Sequence, residues 1–316
     1  MQVMRAFAFV FPGQGSQTVG MLDAWHGHPD IQRTLDEASA ALDEDIASLI
    51  RLGPKEKLEL TIHTQPVMLT AAIACYRAWL AEGGPEPAAV AGHSLGEYSA
   101  LVAAGVLTLA DALPLVRLRA RAMQNAVPVG AGAMAAILGL EAATVSAACA
   151  EVAAASGEVV APANFNDPGQ TVISGSKAGV DAACARLKNL GAKRALLLAV
   201  SAPFHSTLMQ PAAEALKTAL ATVPLLMPRC PVVNNVDVTV LTEPAAIRDA
   251  LVRQACAPVR WVEVVQALKS LGLSHIIECG PGKVLAGLVK RIDAEIVTTT
   301  VFDPASLVLA QGLLRE

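Results

Sequence analysis

Residues 6–11 form a short apolar run that ends in Pro-Gly, a pattern that predicts a buried strand followed by a tight loop. Helical periods alternate with loops from there to residue 85. Residues 88–92 are again apolar, 92–96 read Gly-His-Ser-Leu-Gly, and 97–104 have helical spacing stopped by Gly105. A strand is therefore expected to turn sharply into a helix at Ser94. Thr108 and Asp111 are spaced as a capping box, and the helix they open is expected to reach about Asn125.

The pattern then changes. An apolar run at 133–138 is followed by a helix at about 142–155, two runs at 159–165 and 171–174 around Asn166-Asp-Pro-Gly169, a helix at about 178–190 stopped by Gly191, and a last run at 195–200. That order, β-α-β-β-α-β, is the ferredoxin-like arrangement. It predicts a compact insert at residues 130–199, with residues 1–129 and 200–316 forming a larger α/β core. Later strands are expected at 232–236, 276–278 and 296–300, with helices between them.

Composition excludes several classes of protein. Of 316 residues, 53% are hydrophobic and 16% charged, which excludes long disordered stretches. Lys and Arg number 24 against 28 Asp and Glu, with no basic run able to track phosphates, so nucleic-acid binding is not expected. The Cys residues at 75, 149, 184, 230, 256 and 279 include no C-x-x-C pair, and no charged-then-apolar leader precedes Phe7. Two uncharged stretches, 122–140 and 195–213, approach membrane length but are broken by Pro, Gly, Asn, Gln or His. A cytoplasmic protein with free thiols and no membrane span is expected.

Gly92-His93-Ser94-Leu95-Gly96 fits the G-x-S-x-G nucleophile elbow, in which small flanking residues permit a strained turn that exposes a Ser hydroxyl. The other reading is a Gly-flanked Ser that caps an ordinary helix. At an elbow, Ser94 N–H and Leu95 N–H lie at a helix N-terminus that favours negative charge. A Ser nucleophile needs a base. His26 and His28 form an H-x-H in a polar loop and suit solvated surface, or a weak metal site lacking a third ligand; His63 and His275 suit polar packing; His93 points away from its neighbour. His205, in a loop after the last strand of the insert, remains. In Phe11-Pro-Gly-Gln-Gly-Ser-Gln17, two glycines flanking Gln14 let the backbone approach a ligand and aim an amide donor. It fails as a dinucleotide fingerprint, and Glu278-Cys-Gly-Pro-Gly-Lys283 fails as a phosphate loop and reads as a strand-to-helix turn. Arg119 sits in an Arg117-Leu-Arg-Ala-Arg121 cluster. Such residues commonly form a solvated face, yet alternate helical positions cannot all face one way, and one of the three could turn beneath the elbow.

Taken in order, Phe9-Val-Phe-Pro-Gly-Gln-Gly-Ser-Gln17, Gly92-His-Ser-Leu-Gly-Glu97, Arg119-x-x-x-Met123, Ala163-Asn-Phe-Asn-x-Pro-Gly-Gln170 and Pro203-Phe-His205 make the chain resemble the malonyl-CoA:acyl carrier protein transacylases of fatty-acid synthesis, over nearly its full length. The resemblance implies an α/β-hydrolase-like core with the ferredoxin-like insert. It implies malonyl transfer from malonyl-CoA to a phosphopantetheinylated acyl carrier protein, without metal or cofactor. Ser94 would be the acylated nucleophile and His205 the general base and acid. Gln14 and Leu95 N–H would serve the oxyanion, Arg119 would hold the malonyl carboxylate, and the main-chain carbonyl of Gln254 would orient His205 in a dyad without Asp. Met123, Asn164 and Phe204 would line the substrate side; Phe204 stands where some bacterial relatives have a small residue. Polyketide assembly, malonate decarboxylation and a thioesterase or esterase with the same elbow remain alternatives. A basic patch for the carrier protein is expected beside the cleft, with Lys188, Lys193 and Arg194 as candidates.

Overall fold

The computed structural model describes residues 5–200 and 202–315. Ser201, the first residue of the expected His205 loop, lies outside the described residues. Nine strands run through the described residues: β1 (Phe7–Phe11), β2 (Ala89–Gly92), β3 (Gly132–Leu138), β4 (Val160–Asp167), β5 (Gln170–Ser176), β6 (Arg194–Leu197), β7 (Val232–Val233), β8 (His275–Cys279) and β9 (Val297–Val301). They divide into a parallel sheet ordered β7-β2-β1-β8-β9 and an antiparallel sheet ordered β4-β5-β3-β6.

The alternation of β1 explains why it lies at the centre of the larger sheet. Phe7, Phe9 and Phe11 project to one face, where Phe9 packs 5.3 Å from Trp79 and 6.0 Å from Tyr76 of the helix Thr61–Ala81. Ala8 and Val10 project to the other face, against Val264, Val265, Leu285 and Val289 of the helices Trp261–Ser270 and Val284–Ile292. A strand covered on both faces reads as an unbroken apolar run, as seen at residues 6–11. The Thr61–Ala81 helix is apolar nearly all round because neighbours surround it, yet Thr64 and Gln65 are buried among those apolar side chains. Buried polar groups of this kind require partners, and Gln65 finds its partner in the site described below.

Residues 132–197 run β-α-β-β-α-β. The helices Ala142–Ser156 and Lys177–Asn189 cover one face of the antiparallel sheet, packing on Ala135, Ile137, Val160 and Ile173. The alternate residues Met134, Ala136, Ala163 and Val172 face the other way and contact Phe204. That second face is turned toward the larger sheet. The two are joined by Phe165 N–H to Val259 O at 2.9 Å, Val259 N–H to Ala163 O at 2.8 Å, and Arg291 to Asp167 at 2.6 Å.

Two strands are shorter than expected. The run at 195–200 is strand only to Leu197, because the chain then peels away and Leu198, Ala199 and Val200 line a cavity. The run at 232–236 is strand only at Val232–Val233: Asn234 Oδ1 accepts from Val236 N–H and Asp237 N–H, a local side-chain bond that competes with the ladder. That turn sends Asn235 toward the elbow. No helix among the described residues is long and apolar enough to cross a membrane.

Candidate active site

The elbow is fixed by steric necessity at two glycines. A Cβ on Gly92 would lie 1.9 Å from the Gly96 carbonyl oxygen, and one on Gly96 would lie 2.0 Å from the Phe11 carbonyl oxygen. Between them Ser94 sits at φ 53°, in the left-handed region that costs a residue with a side chain about 1–3 kcal/mol. Bonds at both of its peptide groups hold it there. Ser94 N–H donates to Asn235 Oδ1 at 2.8 Å, Gln254 Nε2 donates to Ser94 O at 3.1 Å, and Asn235 Nδ2 donates to Gly92 O at 2.7 Å.

This arrangement corrects one expectation. Ser94 N–H is taken by Asn235 and is no free donor at the helix start. Leu95 N–H has no partner among the described residues and stands at the N-terminus of the helix Gly96–Ala103, beside the Ser94 side chain. Gln14 N–H likewise has no partner among the described residues, while its exposed side chain donates to Thr61 Oγ1 at 3.2 Å.

Ser94 Oγ lies 2.7 Å from His205 Nε2. His205 is 3% exposed, at φ 59°, and its Nδ1 faces two main-chain carbonyls, Gln254 O at 2.9 Å and Ala257 O at 3.1 Å. Carbonyls only accept, so Nδ1 carries the proton and Nε2 presents a lone pair to the Ser hydroxyl. Gln254 closes the helix Pro244–Gln254, whose C-terminal carbonyls carry the negative end of the helix dipole. They suit an imidazole that becomes imidazolium in passing. Burial, reinforced by the Arg119 charge, lowers the His205 pKa to about 3, so the ring is neutral at physiological pH and ready to accept.

Arg119 resolves the Arg cluster. On the helix Leu109–Asn125 it follows Ala112 and Val116 on the buried stripe and is 2% exposed, whereas Arg117 pairs with Glu44 at 2.7 Å and Arg121 faces solvent. Its Nη1 donates to Gln65 Oε1 at 2.8 Å, and its Nη2 donates to Ser94 Oγ and Gln254 Oε1, both at 3.1 Å. The guanidinium carbon lies 5.5 Å from the Tyr98 ring centre, a cation–π distance. Every one of those oxygen acceptors is neutral, and Arg119 Nε is buried without a partner among the described residues. Burial lowers the Arg119 pKa, which measures the cost of holding a cation there.

These groups open onto a cavity of about 440 Å³ between the two sheets. Eight of the nine expected site residues line it, namely Gln14, Ser94, Leu95, Arg119, Met123, Asn164, Phe204 and His205; Gln254 lies buried beneath. No motif in the sequence assigns a role to Gln65, Glu97, Tyr98 or Asn235. Their signal was polarity at positions whose neighbours are apolar, as at Gln65 within the Thr61–Ala81 helix. His93 meets Asn166 Oδ1 at 2.8 Å across the sheets and lines the cavity. His28 is half-buried and accepts from Asp30 N–H as a helix cap, so it is not plain solvated surface. Glu278 accepts from Ala286 N–H at 2.8 Å, which makes the Glu278–Lys283 segment a strand-to-helix turn with its own carboxylate cap. Lys188, Lys193 and Arg194 are exposed, but Arg194 starts β6 whereas the lining begins at Leu198, roughly 13 Å along the strand. Among the described residues no group of three or more His, Cys, Asp and Glu is placed to hold a metal ion.

Residues 8–299 match the acyl transferase domain family. The chain is 53% identical over 311 residues to the malonyl CoA-acyl carrier protein transacylase of Escherichia coli K12, covering 98% of this chain and 100% of that one. It is similar to the crystal structure of an acyl-carrier-protein S-malonyltransferase from Burkholderia pseudomallei 1710b, with TM-score 0.95, 62% identity and coverage of 97% and 99%. It is also similar, at TM-score 0.95 and 48% identity over 98% and 99% of the two chains, to a malonyl-transacylase solved in complex with a type II PKS acyl-carrier protein.

Proposed function

This chain belongs to the acyl transferase family and, within it, to the malonyl CoA-acyl carrier protein transacylases, and from that we infer that it transfers malonyl from malonyl-CoA to an acyl carrier protein through a Ser94 ester. The observation that carries the mechanism is the line from Gln254 O through His205 to Ser94 Oγ, with Arg119 on the same oxygen.

In the first half-reaction Ser94 Oγ attacks the thioester carbonyl carbon while His205 Nε2 takes the hydroxyl proton. The carbonyl oxygen becomes an oxyanion beside Leu95 N–H and Gln14 N–H, donors fixed before the charge develops. Collapse breaks the C–S bond, His205 returns the proton to the CoA sulfur, and the malonyl ester remains on Ser94. In the second half the carrier's pantetheine thiol gives its proton to Nε2 and attacks the ester, and Ser94 recovers its hydroxyl. A thioester is exchanged for a thioester, so the transfer is near thermoneutral.

Arg119 takes the free malonyl carboxylate. A carboxylate entering a closed pocket loses its water, and a planar fork with an unpaired Nε replaces that water with two parallel bonds. Met123, Asn164 and Phe204 bound the acyl group. An esterase with the same elbow has no use for a buried unpaired cation. We read residues 1–129 and 200–316 as an α/β-hydrolase-like core and 130–199 as a ferredoxin-like subdomain, a reading supported by the β4-β5-β3-β6 order of the small sheet. Six free cysteines fit a reducing, cytoplasmic setting.

Intact-mass measurement after mixing with malonyl-CoA tests this: one malonyl group should appear, should map to Ser94, and should leave on addition of holo carrier protein. A wild-type protein that stays unmodified refutes it.

A further inference from the structure

The mechanism uses the main-chain carbonyl of Gln254 and leaves its side chain unexplained, together with Glu97. Glu97 lies three residues beyond Ser94 and is 2% exposed. Its Oε2 accepts from Gln254 Nε2 at 2.7 Å and from Asn235 N–H at 3.0 Å. Gln254 thus has its donor end on Glu97 and Ser94 O, and its acceptor end on Arg119 Nη2 at 3.1 Å.

A primary amide has nearly the same shape whichever way its oxygen and nitrogen point. If this one turned over, its NH₂ would face the guanidinium, a donor-only group, and its oxygen would face a carboxylate. Two groups resist that: Arg119 at one end and Glu97 at the other. Arg119 loosens during turnover, because acylation converts Ser94 Oγ from a hydroxyl into an ester oxygen, a weaker acceptor, and the guanidinium must turn to the arriving carboxylate. Glu97 touches neither substrate nor nucleophile and keeps its grip throughout. It is also held off from Arg119: among the described residues no carboxylate forms an ion pair with that guanidinium, so the fork stays available.

We propose that Glu97 is a positioning residue for malonyl selectivity: its carboxylate fixes the orientation of the Gln254 amide, which in turn aims Arg119 at the substrate carboxylate. The proposal rests on the malonyl-transfer reading above.

The test compares wild type with Glu97→Met, which keeps the volume and removes the acceptor, and with Glu97→Gln, whose Oε1 can accept both donors. Acylation of Ser94 is followed with malonyl-CoA and acetyl-CoA. Glu97→Met should raise the malonyl-CoA KM and lower the malonyl-to-acetyl ratio roughly tenfold, the loss of one oriented charge-assisted bond, while acetyl transfer holds. Glu97→Gln should keep the wild-type ratio. Gln254→Met, which retains the main-chain carbonyl that orients His205, should lose selectivity as Glu97→Met does, and the double variant should lose no more than either alone.

A folded Glu97→Met with the wild-type ratio overturns the proposal, as does a proportional fall in both malonyl and acetyl rates, the mark of a merely structural residue. Should Glu97→Met fail to fold, Glu97→Gln must keep the ratio and Gln254→Met must lose it; failure of either overturns the proposal. Wild type that takes up no malonyl refutes the transferase reading instead, so the two failures are distinct.

Discussion

Arg119→Ala tests whether the buried guanidinium selects the acyl group. In the resting site Nη1 rests on Gln65, Nη2 on Ser94 and Gln254, and Nε on no partner among the described residues. A malonyl carboxylate that pairs with the fork makes two charge-assisted hydrogen bonds, about 1.5–3 kcal/mol each, and displaces one weaker bond to the Ser hydroxyl. Removing the arginine should therefore take about 3–5 kcal/mol from malonyl transfer, a loss in kcat/KM of roughly a hundredfold to a few thousandfold. Acetyl makes neither bond and leaves the cation unpaired, so its transfer should stay level or rise. The preference for malonyl should collapse or reverse. Competition between malonyl-CoA and acetyl-CoA, read as the two acyl-enzyme masses, gives the ratio directly and is insensitive to a partly folded fraction. Arg119→Met repeats the measurement with most of the volume restored, which separates the lost fork from a new cavity. Arg119→Lys keeps the charge and loses the fork; it should fall between wild type and Ala. A malonyl-to-acetyl ratio that survives Arg119→Ala unchanged would remove this residue from the acyl site and sink the argument.

Three further outcomes follow from the same geometry. Ser94→Ala should yield no acyl-enzyme, and His205→Ala should slow acylation by ~10²–10⁴, the share of a positioned general base; transfer at the wild-type rate in either contradicts the dyad. The His205 imidazole should stay neutral from pH 8 down to pH 5, because its pKa is lowered from 6.5 to about 3; nitrogen NMR of ring-labelled protein, assigned with His205→Gln, should show no titration there. Below pH 6.5 the unfolded chain binds more protons at this residue than the native one, so its contribution to stability is complete above 6.5 and is lost as pH falls toward 3. Asn235→Ala removes the acceptor of Ser94 N–H and the donor to Gly92 O, and should cost about 1–3 kcal/mol in urea unfolding as well as acylation rate; an unchanged midpoint would mean the elbow holds its left-handed Ser unaided.

Much of the candidate site was legible because its chemistry is local in the chain. The elbow is readable from five residues, since the Gly92 and Gly96 contacts that demand glycine lie within the turn or on the adjoining strand. Arg119 was one of three candidates, and the helical period decides among them: Ala112, Val116, Arg119 and Met123 fall on one buried stripe, which neither Arg117 nor Arg121 continues. The mixed α/β character, with a parallel sheet and a small antiparallel one, was legible for a similar reason, as the buried and half-buried strands differ in how they alternate. The shell behind the site was not legible. Asn235 reads as the fourth residue of a strand, because 232–236 is apolar except for two Asn, and it is the Asn234 side chain that, once folded, outcompetes the ladder. Gln65 and Gln254 stand 54 and 135 positions from the Arg119 they hold, and no periodicity links such positions. Each nonetheless left a trace in being polar where its own helix is buried. A buried amide must be satisfied by something, and the Gln65 and Gln254 amides both converge on the Arg119 guanidinium. Arg119 therefore organises Gln65, Ser94 and Gln254 around itself before any substrate arrives.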